Sequence, residues 1–194
     1  RKGVTALFEG INIAYNQIDR RHFLIKYGLT YVFTLGMMFM GALCLAVIVV
    51  FPIIIDSLGL PDVLATALSY VRWPVLAFII MFSLALFYKI APHRRNPQFH
   101  WVGIGAFVAT LLWIAGSAGF SFYVDNFGSY NKTYGSFAAV IIMLLWLLLT
   151  AFTILLGAEV NSEMEHQTAE DTTIGHPRPM GERNAYYADR VASQ

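Results

Sequence analysis

Four long apolar stretches, separated by short polar segments, set the pattern of this chain. Each stretch is about as long as the roughly 20 apolar residues that cross a bilayer core of about 30 Å. Only Arg72 and Lys89 bring full charges close to these stretches. We therefore predict an all-α, polytopic transmembrane helical bundle. Its spans are predicted at Tyr27–Ile55, Val71–Ala91, Trp101–Val124 and Phe137–Gly157.

A second pattern precedes the first span. Apolar side chains recur at i, i+3, i+4 and i+7 spacing through residues 3–18, which is typical of an amphipathic helix with polar residues such as Asn12 on its other side. The apolar stripe consists of Val4, Leu7, Phe8, Ile11, Ala14, Tyr15 and Ile18.

Two arrangements of this helix remain open, and they are compatible. It lies on the cytoplasmic leaflet, with Arg20, Arg21 and Lys26 at anionic head groups, or it packs against the bundle. Residues 1–26 are therefore described as a cytoplasmic amphipathic and basic segment that leads into a transmembrane bundle at residues 27–160.

The pattern changes again after Val160. Residues 161–194 are polar and interrupted by Gly and Pro. Such a composition buries too little apolar area to offset the entropy of ordering. We expect a largely disordered cytoplasmic tail after a short helical continuation through Asn161–Gln167.

Composition supports the membrane assignment and excludes several functions. The chain is 57% hydrophobic and 13% charged, whereas a typical soluble domain is about 25% charged. A net charge of +1 and the lack of a basic face argue against a nucleic-acid partner. Cys44 is the only cysteine, so an intrachain disulfide is excluded. No motif for a metal, a cofactor or catalysis stands out, and we expect none of the three.

The basic residues indicate how the chain crosses the membrane. They gather before the first span and around the connection Pro92–His100, whereas the connections Asp56–Tyr70 and Asp125–Thr133 hold a single lysine between them. By the positive-inside rule, both ends of the chain are expected in the cytoplasm.

The connection before the fourth span is the first candidate site. Its uncharged donors and acceptors could line a polar cavity at the external mouth, or they could form a hydrogen-bonded turn with interfacial tyrosines. The cavity candidates are Asn126, Tyr130, Asn131 and Tyr134.

Glu159 and Asn161, at the end of the fourth span, are the second candidate site. A carboxylate near the membrane edge is costly unless it is paired or hydrated. Two interpretations stay open for Glu159: an ion pair with Arg94, Arg95 or Arg21, or a role in transport or binding. The second interpretation predicts that Glu159→Gln abolishes activity without affecting expression.

Two further sets of residues carry hypotheses about binding and packing. Five arginines are candidates for anion or head-group contact, although snorkelling and the positive-inside bias also explain them. They are Arg72, Arg94, Arg95, Arg20 and Arg21. Small residues in the third span are expected to pack closely against the fourth span. They are Gly103, Ala115, Gly116 and Gly119.

Several segments are similar to one known family. The segments beginning at Ser129 (Ser-Tyr-Asn-Lys-Thr-Tyr-Gly-Ser), at Gly157 (Gly-Ala-Glu-Val-Asn) and at Pro177 (Pro-Arg-Pro-Met-Gly-Glu-Arg-Asn-Ala) resemble the YihY/BrkB family of bacterial inner-membrane proteins. The resemblance implies a longer parent protein with about six spans. Two spans would then precede Arg1.

The resemblance also implies a function in the cell envelope, and family members include a virulence factor. The leading expectation is transport or export of an envelope lipid, a glycolipid or another amphipathic solute, with membrane lipids and a second copy of the chain as further partners. The alternative is a non-transporting membrane scaffold. A ribonuclease, the activity for which some members are named, fits poorly because RNA hydrolysis needs a metal site or an acid–base pair.

Overall fold

Helices make up most of the described chain, which comprises residues 2–95, 97–126 and 136–191 of a computed structural model. In these ranges the only β structure is an isolated bridge between Pro97 and Thr173. The all-α class is therefore confirmed. The helices are α1 (Lys2–Ala14), α2 (Phe23–Ser57), α3 (Asp62–Ile90), α4 (Phe99–Asn126) and α5 (Ser136–His166).

Four of these helices are long and apolar enough to cross a membrane. Their outward surfaces consist of exposed Leu, Ile, Val and Phe side chains, which suits contact with lipid. The spans cover Phe23–Ile55, Asp62–Ile90, Phe99–Asp125 and Phe137–His166.

The second span begins earlier than predicted. α3 starts at Asp62 instead of Val71, so the expected loop shrinks to a turn at residues 58–61. Gly59, with φ of +58°, provides this turn. Pro74 consequently lies inside α3, just as Pro52 lies inside α2. Proline is tolerated within membrane helices because neighbouring groups satisfy the freed carbonyls.

α1 packs against the bundle through its apolar stripe. Phe8 makes edge-to-face contacts with Phe33 of α2 at 5.2 Å and with Phe87 of α3 at 5.4 Å between ring centroids. Gly10 approaches α5 so closely that an added Cβ would lie 2.7 Å from Leu155. Ile18 departs from the predicted stripe and is 72% exposed, because α1 ends at Ala14 and the chain then changes direction.

α4 and α5 come closest at Gly105 and Gly157. A Cβ added to Gly157 would lie 2.7 Å from the Gly105 carbonyl oxygen and 2.4 Å from the Tyr88 hydroxyl. Asn161 reinforces the crossing: its Oδ1 accepts a hydrogen bond from the Gly105 N–H at 2.7 Å, and its Nδ2 donates to the Val102 carbonyl at 3.2 Å. Backbone-to-backbone contact of this kind requires residues without side chains.

Of the four predicted packing residues, the structure places Gly116 against α5. An added Cβ at Gly103 or Gly119 would meet no atom within 4 Å, and Ala115 is exposed. Gly116 does approach Leu149 of α5. The contact face of α4 follows i, i+3, i+4 helical spacing, but it begins at Val102 and not at Gly103. It comprises Val102, Gly105, Ala106, Ala109 and Thr110.

In the described part of the tail, residues 167–191, side chains bind the backbone through hydrogen bonds. Arg183 is only 6% exposed, and its guanidinium donates to the carbonyls of Ala169, Glu170 and Ala188. Burial alone would raise the pKa of Asp171, but hydrogen bonds from Thr173 and the Arg178 N–H outweigh it and lower this pKa. Side-chain hydrogen bonds to the backbone thus supply the order that apolar burial could not.

We predict that Gly157→Ala lowers stability by about 1–3 kcal/mol, because the new methyl group overlaps Tyr88 and the Gly105 carbonyl. Thermal unfolding in detergent measures this change. Gly119→Ala is the matched control, since it adds the same methyl group to open space and should hold stability or raise it by up to about 1 kcal/mol. Equal losses in both variants would contradict the assigned crossing point.

Candidate functional site

A buried polar cluster lies where α1, the α3–α4 connection, α5 and the tail meet. We call it the polar core, and we call this end of the bundle the tail end. Its members come from four separate segments of the chain, so only the folded bundle brings them together. They are Asn12, Tyr15, Arg94, Asn161, Glu165 and Thr172.

An ion pair between Arg94 and Glu165 is the centre of the polar core. Their side chains are 3% and 2% exposed, and Arg94 Nη1 donates to Glu165 Oε2. The hydroxyl of Thr172, a tail residue, donates to the other carboxylate oxygen. Both oxygens of this buried carboxylate are therefore occupied, which is the condition for burying a charge.

The ion pair uses a different glutamate from the one that the sequence suggested. Glu159 is exposed on α5, whereas Glu165 faces the bundle because it continues the buried face formed by Ala158, Asn161 and Ser162 at i, i+3, i+4 and i+7 spacing. This spacing was present in the sequence. It was overlooked because the fourth span was ended at Gly157 and the continuation was assigned to a polar tail.

Tyr15 forms the floor of the polar core. The Arg94 guanidinium carbon lies 4.3 Å from its ring centroid, within cation–π range. Its hydroxyl is buried without a hydrogen bond of normal geometry, although the side chains of Arg94 and Asn161 lie close enough to lower its pKa. Burial raises the pKa of Tyr15 to about 12, nearby Glu165 adds to the shift and Arg94 opposes it. The phenol is therefore protonated at neutral pH.

Asn12 fixes the α3–α4 connection to α1. Its Oδ1 accepts a hydrogen bond from the His93 N–H, and its Nδ2 donates to the Phe8 carbonyl, both at 2.8 Å. Asn12 is 3% exposed, although the sequence pattern placed it on the outer, polar side of the helix. Its position next to the core follows from the tertiary contact with His93, which helical periodicity does not report.

Two of the basic residues assigned to lipid head groups are used within the protein. Arg21 donates to the carbonyls of Ile90, Ala91 and Pro92 and so caps the end of α3. Burial lowers the pKa of Arg21, and Asp19 opposes this effect. Lys26 pairs with Glu9 of α1 at 3.0 Å.

The remaining arginines occupy different surroundings. Arg20 is exposed at the tail end. Arg95 is half-buried beside Gly175 of the tail. Arg72 lies within the second span, half-buried, with its guanidinium carbon 5.4 Å from the Trp73 ring centroid and a buried Nε that has no partner in the described chain. The structure does not bring Arg72 to the polar core.

Most of the predicted external mouth lies outside the described residues. This applies to Tyr130, Asn131 and Tyr134, whereas Asn126 is the last residue of α4. A shallow cavity of about 430 Å³, open to the surroundings of the bundle, lies between α4 and α5. A polar cavity was expected there, but aromatic and aliphatic side chains line this one. The lining residues are Phe120, Tyr123, Leu145, Leu148, Leu149 and Phe152.

The polar core is a buried, charged cluster that hydrogen bonds hold together. Within residues 2–95, 97–126 and 136–191, no group of three or more His, Cys, Asp and Glu side chains is arranged to hold a metal ion. The core instead offers a guanidinium and a hydroxyl bound to one carboxylate, with a protonated phenol and two carboxamides nearby. Such a set is suited to recognising or exchanging an anion.

The fold and this site define a multi-pass helical membrane protein with a buried ion pair at one end. The chain belongs to the family described as Virulence factor BrkB, which matches residues 1–181. The resemblance inferred from the sequence is thus confirmed.

Curated relatives support the membrane assignment. A Bacillus subtilis (strain 168) protein, YfkH, whose name describes it as ribonuclease-like, is 30% identical over 82% of this chain and 59% of its own length. The UPF0761 membrane protein VP0125 of Vibrio parahaemolyticus is 29% identical over 89% of this chain and 55% of its own. The UPF0761 membrane protein YihY of Salmonella arizonae is 42% identical over 40% of this chain and 27% of its own.

The chain spans less than two thirds of the length of each of these relatives. No solved structure matches the chain. The family assignment therefore rests on sequence.

We predict that Glu165→Gln lowers stability by about 3–5 kcal/mol, because it leaves the Arg94 charge buried without a counterion. Denaturant unfolding in detergent measures the loss. Lys26→Met is the control, since the Lys26–Glu9 pair is 33% and 58% exposed and its loss should cost about 0–1 kcal/mol. Similar costs for the two variants would show that Arg94 and Glu165 are not shielded from water.

We predict a loss of stability in alkali that depends on Tyr15. Its folded pKa of about 12 lies above the ordinary value of 10.0, so its contribution is complete below pH 10 and is lost as the pH rises towards 12. Tyr15→Phe should reduce this loss. At neutral pH the variant should be no less stable, because it removes a buried hydroxyl without a partner, which costs about 1–3 kcal/mol.

Melting temperatures measured from pH 8 to pH 12 test this prediction. Tyr70→Phe serves as the control because the Tyr70 side chain is 68% exposed, and it should keep the wild-type profile. An unchanged alkaline profile in Tyr15→Phe would show that the Tyr15 hydroxyl does not determine it.

Proposed function

We propose that this protein is a transporter-like component of the bacterial inner membrane that moves an amphipathic envelope molecule, such as a lipid or a glycolipid. In this proposal the polar core is the gate at the cytoplasmic end, and Arg94 and Glu165 hold it closed. The observation that carries the proposal is the buried ion pair itself, which joins two segments 71 positions apart in the chain.

The energetics of buried ion pairs support a gate. Replacing such a pair with well-packed apolar residues is often neutral or stabilising, so a buried pair is weak evidence for a role in stability. Removing only one partner is costly, however, because the other charge stays buried and unpaired. The closed arrangement, in which both charges are paired, is therefore lower in free energy than an arrangement in which the pair is broken and one charge stays buried. A contact of this kind suits an element with two arrangements.

The distribution of charge supports a cytoplasmic location for the tail end. Five basic residues lie near it, in the segment before α2, in the first turn of α2 and in the α3–α4 connection. They are Arg20, Arg21, Lys26, Arg94 and Arg95. By the positive-inside rule this end faces the cytoplasm, and both ends of the chain lie there too.

The apolar cavity between α4 and α5 supports an amphipathic substrate. It lies within two membrane spans, and its walls at Leu148 and Phe152 are 65% and 60% exposed towards the surroundings of the bundle. Its apolar lining favours acyl chains over small polar solutes. The polar core at one end and an apolar cavity between the helices match the two parts of an amphipath.

We further propose that the protein is not an enzyme. The ribonuclease-like description belongs to YfkH, and cleavage of RNA would need an acid–base pair or a metal site in contact with water. In the described residues, the only buried carboxylate of the polar core is already held by Arg94 and Thr172.

One observation favours the second candidate function, a non-transporting scaffold. α4 and α5 are in backbone contact at Gly105 and Gly157, and the Tyr88 hydroxyl donates to the Ile154 carbonyl at 2.7 Å beside them. This interface leaves no polar route between the two helices at that level. Transport would therefore require the helices to move relative to each other, whereas a scaffold would not.

A reversible cross-link separates the two functions. Pro97 and Thr173 form an antiparallel bridge, so their Cα atoms lie about 4.5–5.5 Å apart, a spacing that a disulfide can join. We expect Pro97→Cys/Thr173→Cys, made in a Cys44→Ala background, to lose transport when oxidised and to regain it when reduced. Fluorescent phospholipids in proteoliposomes report the transport.

Each single cysteine variant is a control and should be insensitive to oxidation. Equal transport in the oxidised and reduced double variant would remove the gate from the proposal. No transport by the wild-type protein would favour the scaffold. Glu159→Gln, measured in parallel with Glu165→Gln, decides which carboxylate the activity needs.

A further inference from the structure

We propose that Arg94 and Tyr15 form a binding site for an oxyanion, a phosphate or carboxylate group, and that Glu165 occupies this site in the closed state. The site would take the anionic head group of an amphipathic molecule or a free phosphate. The inference deepens the proposed function and rests on it only for the transport step that comes after binding. Binding itself can be measured without any transport.

An excess of hydrogen-bond donors at the tail end points to an anionic ligand. The described residues there include four buried side-chain atoms without a partner, and each can donate. They are Tyr15 Oη, Gln17 Nε2, Arg94 Nε and Arg95 Nη1. A buried donor without an acceptor is costly, and a cluster of such donors favours an anionic ligand that would accept hydrogen bonds from them.

Two of these donors belong to side chains that are in contact. The Arg94 guanidinium carbon lies 4.3 Å from the Tyr15 ring centroid. The Arg94 side chain is 3% exposed and Tyr15 is 1% exposed. A guanidinium offers five N–H groups in a planar fork that matches carboxylate and phosphate groups. Glu165 engages this fork at Nη1, which leaves Nε and the Tyr15 hydroxyl available.

Glu165 has the chemistry of the ligand that it would give way to. Its carboxylate binds Arg94 and accepts a hydrogen bond from the Thr172 hydroxyl, as the oxyanion of a head group would. Exchange of one anion for another keeps Arg94 paired throughout. The exchange therefore avoids the uncompensated buried charge that makes breaking such a pair costly.

The competition between Glu165 and the ligand distinguishes this proposal from a purely structural ion pair. If Glu165 occupies the site, Glu165→Gln should raise the affinity for an oxyanion about tenfold or more, because the internal competitor has lost its charge. A bound oxyanion should also restore much of the stability that this variant loses. A structural pair predicts neither effect.

The test uses short-chain phosphatidic acid and inorganic phosphate as separate probes, each titrated into the purified protein in a zwitterionic detergent. Native mass spectrometry measures occupancy, and thermal unfolding measures the stabilisation. Glu163→Gln is the matched control, because it removes the same charge from an exposed position on the same helix. Its binding should equal that of the wild type.

Tyr15→Phe keeps the test decisive if Glu165→Gln folds poorly. It removes one ligand donor and should weaken phosphatidic acid binding about tenfold, although its stability at neutral pH is not reduced. Arg94→Lys should also weaken binding, because an ammonium group lacks the planar fork. In Tyr15→Phe, binding is thus weakened while stability at neutral pH is kept, a combination that a purely structural role would not produce.

The two probes separate the sources of the oxyanion. Binding of phosphatidic acid alone supports a lipid head group, and equal binding of inorganic phosphate supports a free anion. Equal affinities in wild type, Glu165→Gln and Tyr15→Phe would overturn the site. Binding with the expected order of variants, but without transport, would leave the site standing and remove the proposed function.

Discussion

The ion pair between Arg94 and Glu165 is the interaction on which the arrangement of the tail end depends. It joins the α3–α4 connection to α5. The Thr172 hydroxyl of the tail donates to Glu165, and the Arg94 guanidinium lies over the ring of Tyr15, which follows α1. Two charges buried to this extent require each other and further hydrogen bonds to the carboxylate, and this requirement fixes the neighbouring segments.

The crossing of α4 and α5 places this pair correctly. Contact between Gly105 and Gly157 sets the register of the two helices, and Asn161 secures it one turn further along α5. Another turn brings Glu165 to the level of the α3–α4 connection. A tight apolar crossing thus determines the position of a charged site. The site itself keeps two donors unsatisfied, which a protein selected only for stability would have removed.

The sequence predicted the large features of the fold because they arise from local patterns. Four apolar stretches were enough to predict the spans, and the i, i+3, i+4 pattern predicted α1. The position of Glu165 also follows helical spacing from Ala158 and Asn161. Its burial was not predicted because the helical continuation Asn161–Gln167 was assigned to the polar tail. The buried amide of Asn12 could not be predicted, since it depends on a tertiary contact with His93.

The tail shows a different limit of sequence reasoning. Its composition indicated disorder because few apolar groups are available for burial, yet Arg183 and Asp171 organise it through hydrogen bonds to the backbone. Such bonds depend on the path of the chain and leave no periodic signal. The choice of contact face on α4 likewise depends on its partner helix, so a count of small residues selected Gly119 when Gly105 makes the contact.

The most direct test of the gate is whether the polar core opens. Ser162 is fully buried beside Glu165 on α5, so a cysteine at this position, in a Cys44→Ala background, reports exposure of the core to a water-soluble thiol reagent. A gate predicts slow labelling of Ser162→Cys in zwitterionic lipid and clearly faster labelling when anionic lipid is added. Labelling that is equally slow in both lipids would show that the core is a static seal, and it would contradict the gate.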